Sequence, residues 1–339
     1  MKIDTGFMVA DLRNVPRHAQ EAERLGYDGL WTAEAGHDPY LPCAIAATAT
    51  ERVSIGTNIV VAFPRSPLVH AQIAWDLQNA SRGRFILGLG TQVKGHNERR
   101  YSMAWTAPGP RLREMVQLIR HIWDVWQNDA RPGFEGKHYR FSLMTPFFSP
   151  GPIQWPNIPI YISGLNPYMC RLAGEMCEGF HLHPFHSMKY IRETVLPNME
   201  EGLAKTGRQR SDVALATTAF VIMGKTRDDL ERAKAPVRQQ ISFYASTRTY
   251  SGVLEAHGWG ETSHRLNEKA AKGDWAGMAS LITDEMLEVY AVQGTFDEIP
   301  DLLRKKYGGV MDRIGFYVPM GAAGTDEGTW RDLIAACRG

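Results

Sequence analysis

Glu34, His37 and His96 are the side chains best placed to move a proton, because each lies in a polar loop that follows an apolar, strand-like run. A partly buried carboxylate rises in pKa and can serve as acid or base. Glu34 could equally be tied into an ion pair by an arginine of the next loop. A lone loop histidine is most often simply exposed, so His37 and His96 carry weight only together. His181, His183 and His186 have the most metal-like spacing in the chain. Strand alternation puts His181 and His183 on one face, where a barrel hydrolase could hold zinc. No pattern elsewhere clearly completes that site, and no metal is expected. Ser163-Gly164-Leu165-Asn166-Pro167 stands between a strand and a helix. Backbone N–H groups at a helix N-terminus favour an anion, and small residues let a phosphate approach. A tight turn capped by Asn166 is the plainer alternative.

The elements that must carry these residues alternate. Strand runs are expected over Lys2–Met8, Tyr27–Thr32, Val53–Val61, Phe85–Gly90, Ile158–Gly164, Gly179–His183, Val213–Met223 and Arg313–Val318. Helical periodicity covers Pro16–Leu25, Leu41–Thr50, Leu68–Asn79, Arg111–Trp126, Tyr168–Cys177, Met188–Lys205, Asp228–Tyr244, Phe296–Tyr307 and Gly328–Cys337. Thr91–Arg100 reads as a polar loop. Eight strand–helix alternations predict a (β/α)8 TIM barrel. Such a barrel needs about 250 residues. Insertions near 127–157, a long loop or a small hairpin around Gly133–Phe141, and near 246–288, mostly helical, account for the excess. The whole is expected to be one domain. A doubly wound open sheet is the competitor, but no G-x-G-x-x-G follows the first strand.

Composition narrows the classes further. The 339 residues carry 38 basic and 37 acidic side chains, a formal net charge of +1, which gives no global field for nucleic acid or a membrane surface. Cys43, Cys170, Cys177 and Cys337 show no C-x-x-C spacing, which points to a reducing, cytoplasmic compartment. There is no apolar run near 18 residues and no signal-like start, so neither membrane insertion nor secretion is expected.

Several stretches, taken in order, resemble one family. They are Leu30-Trp31-Thr32-Ala33-Glu34, Ile55-Gly56-Thr57-Asn58-Ile59-Val60 with Arg65-Ser66-Pro67, and Ser81-Arg82-Gly83-Arg84-Phe85 through Gly90. His96-Asn97-Glu98-Arg99-Arg100, Pro159 through Gly164, Ala173-Gly174-Glu175, Glu178-Gly179-Phe180 and Gly294 through Glu298 follow. The pattern resembles the bacterial luciferase-like flavin and deazaflavin oxidoreductases, particularly their coenzyme F420-dependent branch. That resemblance implies a barrel holding F420, or alternatively FMN, at the carboxyl ends of its strands. It implies a bulge at Asn58-Ile59, often with a non-prolyl cis peptide, backing the cofactor ring. Ser163, Gly164, Leu165 and Asn166 would hold the cofactor phosphate, and Thr91 and Asn97 would approach the ring or its polyol chain. Glu34, His37 and His96 would be the proton-transfer residues. Ala35 stands where many deazaflavin enzymes of the family have histidine, and Thr91 where some have glutamate, which argues against a sugar-phosphate type of mechanism. The expected activity is hydride transfer between the deazaflavin C5 and a small alcohol, carbonyl or activated alkene, in a homodimer. An FMN-dependent monooxygenase, a zinc hydrolase using His181 and His183, and a non-catalytic flavin-binding barrel stay open.

Overall fold

Strands that are apolar on both faces, such as Phe85–Gly90 with every residue buried, pair in parallel beneath covering helices. That is the architecture of a computed structural model describing residues 1–6, 11–317 and 326–338. The chain is a (β/α)8 TIM barrel, as the alternation predicts. It divides into two compact units. One comprises Gly6–Gly164 and Glu175–His181. Its parallel strands run in the order Gly29–Thr32, Ser54–Thr57, Phe85–Gly90, Ile160–Gly164 and Gly179–Leu182. Gly29 lies opposite Ser54, and Leu87 opposite Ile160. The other comprises Met1–Thr5, Leu165–Gly174 and Leu182–Gly339, with strands in the order Ala291–Thr295, Ala214–Gly224, Arg313–Phe316 and Lys2–Gly6.

Several expectations need correction. The run Val53–Val61 is not one strand: it breaks after Thr57, passes a cis peptide at Asn58-Ile59, where the family resemblance placed it, and resumes as Val60–Val61. The polar stretch Thr91–Arg100 is not all loop, since Lys94–Arg99 closes a short helix. The long helix from Met188 is interrupted by a π-helical segment, Ile191–Val195. Pro197 follows it and supplies no N–H, so the regular ladder cannot run through. Ala291–Thr295 is a strand that the periodicity did not show. It pairs with the far half of Ala214–Gly224, Thr295 opposite Gly224, a partner some seventy residues away. The hairpin forms as expected, Phe134–Glu135 against Arg140–Phe141. The 246–288 segment is helical, with Ser251–Glu255, Gly260–Ala271, Trp275–Ala279 and the start of Asp284–Tyr290. Residues 7, 8 and 318 of the expected first and eighth strands lie outside the described residues.

Two arginines show how polar groups are accommodated beneath this sheet. Arg84 donates to the carbonyls of Ala47 (3.0 Å), Thr50 (2.8 Å), Val53 (2.7 Å) and Ser81 (2.8 Å). It therefore satisfies the carbonyl end of the helix Tyr40–Ala49 and fixes the start of the next strand. Arg313 makes a two-pronged bond to Asp4, Nε–Oδ2 2.8 Å and Nη2–Oδ1 2.7 Å, with only 4% and 3% of the two side chains exposed. Removing one partner of a buried pair strands the other charge. The variant Arg313→Met is expected to lose about 3–5 kcal/mol of unfolding free energy in denaturant titration. Adding Asp4→Leu should recover most of that loss, and an R313M protein as stable as wild type would contradict the assignment.

Candidate active site

Glu34 follows the strand Gly29–Thr32, and its carboxylate meets four donors. Arg65 Nη1 (2.9 Å) and Val61 N (2.7 Å) donate to Oε2, and Arg65 Nη2 (3.1 Å) and the Tyr101 hydroxyl (3.1 Å) donate to Oε1. Arg65 also pairs with Asp38 at 2.6 Å. Only 6% of the Glu34 side chain is exposed. Of the two roles the sequence left open, the ion pair is the one the side chain visibly plays. Burial raises the Tyr101 phenol pKa, and the neighbouring Glu34 charge adds to the rise. Arg65 lies in the expected loop; Tyr101, which bonds Glu34, and Asp38, which bonds Arg65, carried no signal in the sequence, because only the fold brings them to these partners. His37 and His96 are exposed, and no hydrogen bond joins either imidazole to Glu34. Lys94, Arg99 and Arg100 are exposed as well, with Arg100 reaching the Ala35 carbonyl.

Behind Arg65, the Tyr40 hydroxyl lies 2.6 Å from His70 Nδ1, while His70 Nε2 lies 2.8 Å from the Ala62 carbonyl. A carbonyl only accepts, so Nε2 carries the hydrogen and Nδ1 accepts from Tyr40. Burial pushes His70 down to about 4, so the ring is neutral. This chain of bonds locks the segment that follows Val60–Val61 against the helix Pro67–Ala80.

The residues expected around a cofactor ring do converge in part. A Cβ built on Gly90 would lie 2.6 Å from Ile59 Cδ1 and 2.7 Å from Ser163 Oγ, so Gly90 is in contact with Ile59 and Ser163, and a side chain there would have to displace theirs. Gly88 is required: its Cβ would sit 1.8 Å from the Thr57 carbonyl oxygen. The Gly88-x-Gly90 pair thus serves close strand packing and the strand end. Asn58, Ile59, Thr91, Ser163 and Gly164 are half-buried at the carboxyl ends of successive strands. Asn97 is fully buried; its Nδ2 donates to the carbonyls of Thr91 (2.9 Å) and Val93 (3.1 Å), and its Oδ1 has no hydrogen-bond partner. A buried, unsatisfied acceptor beside half-open strand ends fits a polar group of a ligand. In the second unit, Leu165 is buried and Asn166 exposed; Asn166 Oδ1 accepts from Met169 N at 3.0 Å, capping the helix Pro167–Met176.

The histidine spacing is taken up by protein contacts. His183 Nδ1 accepts from Phe185 N at 3.1 Å. His186 Nδ1 donates to the His183 carbonyl at 2.9 Å, which leaves Nε2 to accept from the Tyr307 hydroxyl at 3.2 Å. His181 packs edge-on against Trp31, ring centroids 4.8 Å apart. Among the described residues no group of three or more His, Cys, Asp or Glu side chains is placed to hold a metal ion, and no helix is long and apolar enough to cross a membrane.

Barrel, strand-end cluster and ordered motifs together describe a luciferase-like barrel oxidoreductase. A family model described as luciferase-like monooxygenase matches residues 3–313, and the chain belongs to that family. It is 42% identical over 314 residues to the uncharacterized protein Rv1360 of Mycobacterium tuberculosis, covering 93% of this chain and 92% of that one. It is 30% identical over 285 residues to the 5,10-methylenetetrahydromethanopterin reductase of Archaeoglobus fulgidus, covering 82% and 81%. Among solved structures, the coenzyme F420-dependent tetrahydromethanopterin reductase of Methanopyrus kandleri superposes with a TM-score of 0.77 over 98% of this chain and 96% of that one, at 21% identity.

Two outcomes follow from the Glu34 and His70 networks. Glu34→Gln loses charge-assisted bonds from Arg65 and should cost about 1.5–3 kcal/mol of stability in denaturant titration; an unchanged midpoint would remove Glu34 from its anchoring role. For His70, the unfolded ring takes a proton near 6.5 and the folded one only near about 4. Between those values the unfolded state binds more protons, so stability rises with pH and is complete above 6.5. His70→Gln should flatten that rise in thermal melts taken across the same window. An identical slope in wild type and variant would show that His70 titrates normally.

Proposed function

We propose that the protein is a coenzyme F420-dependent oxidoreductase that transfers hydride between the deazaflavin C5 and a small organic substrate, an alcohol–carbonyl pair or an activated alkene. The observation that carries this reading is the contact of Gly90 with Ile59 and Ser163 at the strand ends, beside the unsatisfied Asn97 Oδ1. A relative in Mycobacterium tuberculosis, 30% identical over 332 residues and named as a putative coenzyme F420-dependent oxidoreductase, supports the deazaflavin over FMN. When bound, the deazaflavin supplies two-electron hydride chemistry, and the protein orients the reactants and handles the proton.

In this reading Asn58 and Ile59 back the ring, and Thr91 and Asn97 reach its polyol chain. Ser163 and Gly164, followed in the chain by Leu165 and Asn166 at the helix start, take the phosphate through backbone amides. Glu34 holds Arg65 and the Val61 backbone in place. His37, on the loop after Gly29–Thr32, and His96, in the short helix Lys94–Arg99, have exposed rings and serve as the proton-exchanging groups. The protein works as a cytoplasmic homodimer on an uncomplexed small molecule; its four cysteines, all buried free thiols, suit a reducing compartment.

Fluorescence titration with F420 beside FMN tests the proposal. Binding of F420 at micromolar concentration or below is expected, in preference to FMN. Gly90→Val and Gly164→Trp should each weaken it by about tenfold or more, equivalent to about 1.4 kcal/mol. Selective FMN binding would make the protein an FMN-dependent monooxygenase of the same family, and binding of neither would overturn the cofactor assignment.

A further inference from the structure

We infer that His183, Tyr244, Tyr250 and Tyr317 form a subsite for the oxygen-bearing end of an uncharged substrate, a ketone or its alcohol. The inference rests on the oxidoreductase reading above and specifies its substrate class. All four residues belong to one compact unit. His183 follows the strand Gly179–Leu182, and Tyr317 follows Arg313–Phe316. Phe220 lies under Tyr317, ring centroids 4.9 Å apart, one residue beyond Ala219, which pairs with Phe316. These are carboxyl ends of barrel strands, where such barrels place their chemistry. Tyr244 comes from the last turn of the helix Arg227–Ala245 and Tyr250 from the 3-10 turn Arg248–Tyr250. The His183 ring meets Tyr244 edge-on at 4.6 Å and Tyr250 at 4.3 Å. All four residues are half-buried, so each keeps part of its surface exposed.

Two features select the ligand. First, the cluster is electrically silent. Burial drives His183 down to about 3 and Tyr250 up to about 12, and raises Tyr244 and Tyr317 as well. Among the described residues, no Asp, Glu, Lys or Arg is a cause of these four shifts. A phosphate or carboxylate would be desolvated there without a counter-charge. Second, the Tyr244 and Tyr317 hydroxyls are 2.6 Å apart. The pair holds two O–H hydrogens and uses one between them. The Gln240 side chain also bonds Tyr244 in the sense that lowers its pKa, as an amide N–H donated to the phenol oxygen does, so the second O–H remains to donate. A carbonyl or alcohol oxygen takes that donor while the rings cover the substrate's apolar body.

The test is calorimetric titration of the F420-loaded protein with cyclohexanone and acetophenone, beside glyceraldehyde 3-phosphate and tetramethylammonium. At least one ketone is expected to bind more tightly than either charged probe. Tyr244→Phe and Tyr317→Phe keep the rings and should each weaken that ketone about five- to tenfold, with the melting temperature and the F420 Kd unchanged. The subsite assignment is overturned if neither ketone binds, if a charged probe binds more tightly than both, or if both Phe variants bind ketone like wild type. It is equally overturned if the variants lose F420 rather than ketone, since the cluster would then belong to the cofactor. A wild-type protein that binds no F420 at all sinks the cofactor reading separately, and ketone titration of that protein with the same two variants still decides the subsite.

Discussion

A parallel strand covered on both faces has no place for an unpartnered polar side chain except at its ends. Phe85–Gly90 shows the constraint at its strictest, because all six residues are buried. Thr57 crosses to this strand and is satisfied there, donating to the Gly88 carbonyl at 2.7 Å and accepting from Gly88 N at 2.9 Å. That close approach leaves no room for a side chain at position 88. The half-open polar residues Asn58, Thr91 and Ser163 therefore lie at the carboxyl ends, where the strand gives way to loop.

Glu34 shows how much of the charge near such a site is structural. A carboxylate with four donors and 6% exposure has little capacity left for substrate. Its contribution is to hold the Arg65 guanidinium and the Val61 amide in one place, while His70 fixes the neighbouring carbonyl from behind. Glu23 does similar work away from the strand ends: burial pushes its carboxyl up, but the amides of Val53, Arg52 and Glu51 outweigh this and hold it below the usual range. Glu34 and Glu23 thus both act as acceptors for backbone amides, Glu34 for an arginine as well.

Family and activity stand at different levels. Membership rests on a match across residues 3–313 and establishes the scaffold. A barrel of this kind hosts many chemistries, so reaction and substrate depend on the side chains gathered at the strand ends. Here those side chains are of two characters: a charged group around Glu34 in one unit, and the neutral aromatic cluster around His183 in the other.

Much of this was legible in the linear sequence. Strand-to-helix alternation is a local property, so the eight barrel strands and most of their helices follow from periodicity alone. The ordered motifs carried the family, and the Phe85–Gly90 strand was read to the residue. Ala291–Thr295 was not legible, because a five-residue segment with two glycine- or glutamine-type positions becomes a strand only when Phe220–Gly224 pairs with it. The break and cis peptide at Asn58-Ile59 fall where the family resemblance put them, whereas the helix Lys94–Arg99 was decided by neighbours. At the site, sequence named Glu34 but not Tyr101, which bonds it, nor Asp38, which bonds Arg65, nor the Tyr244–Tyr317 pair. Hydrogen bonds between residues as much as seventy positions apart have no period and no spacing; only the packing of the barrel brings their atoms within reach.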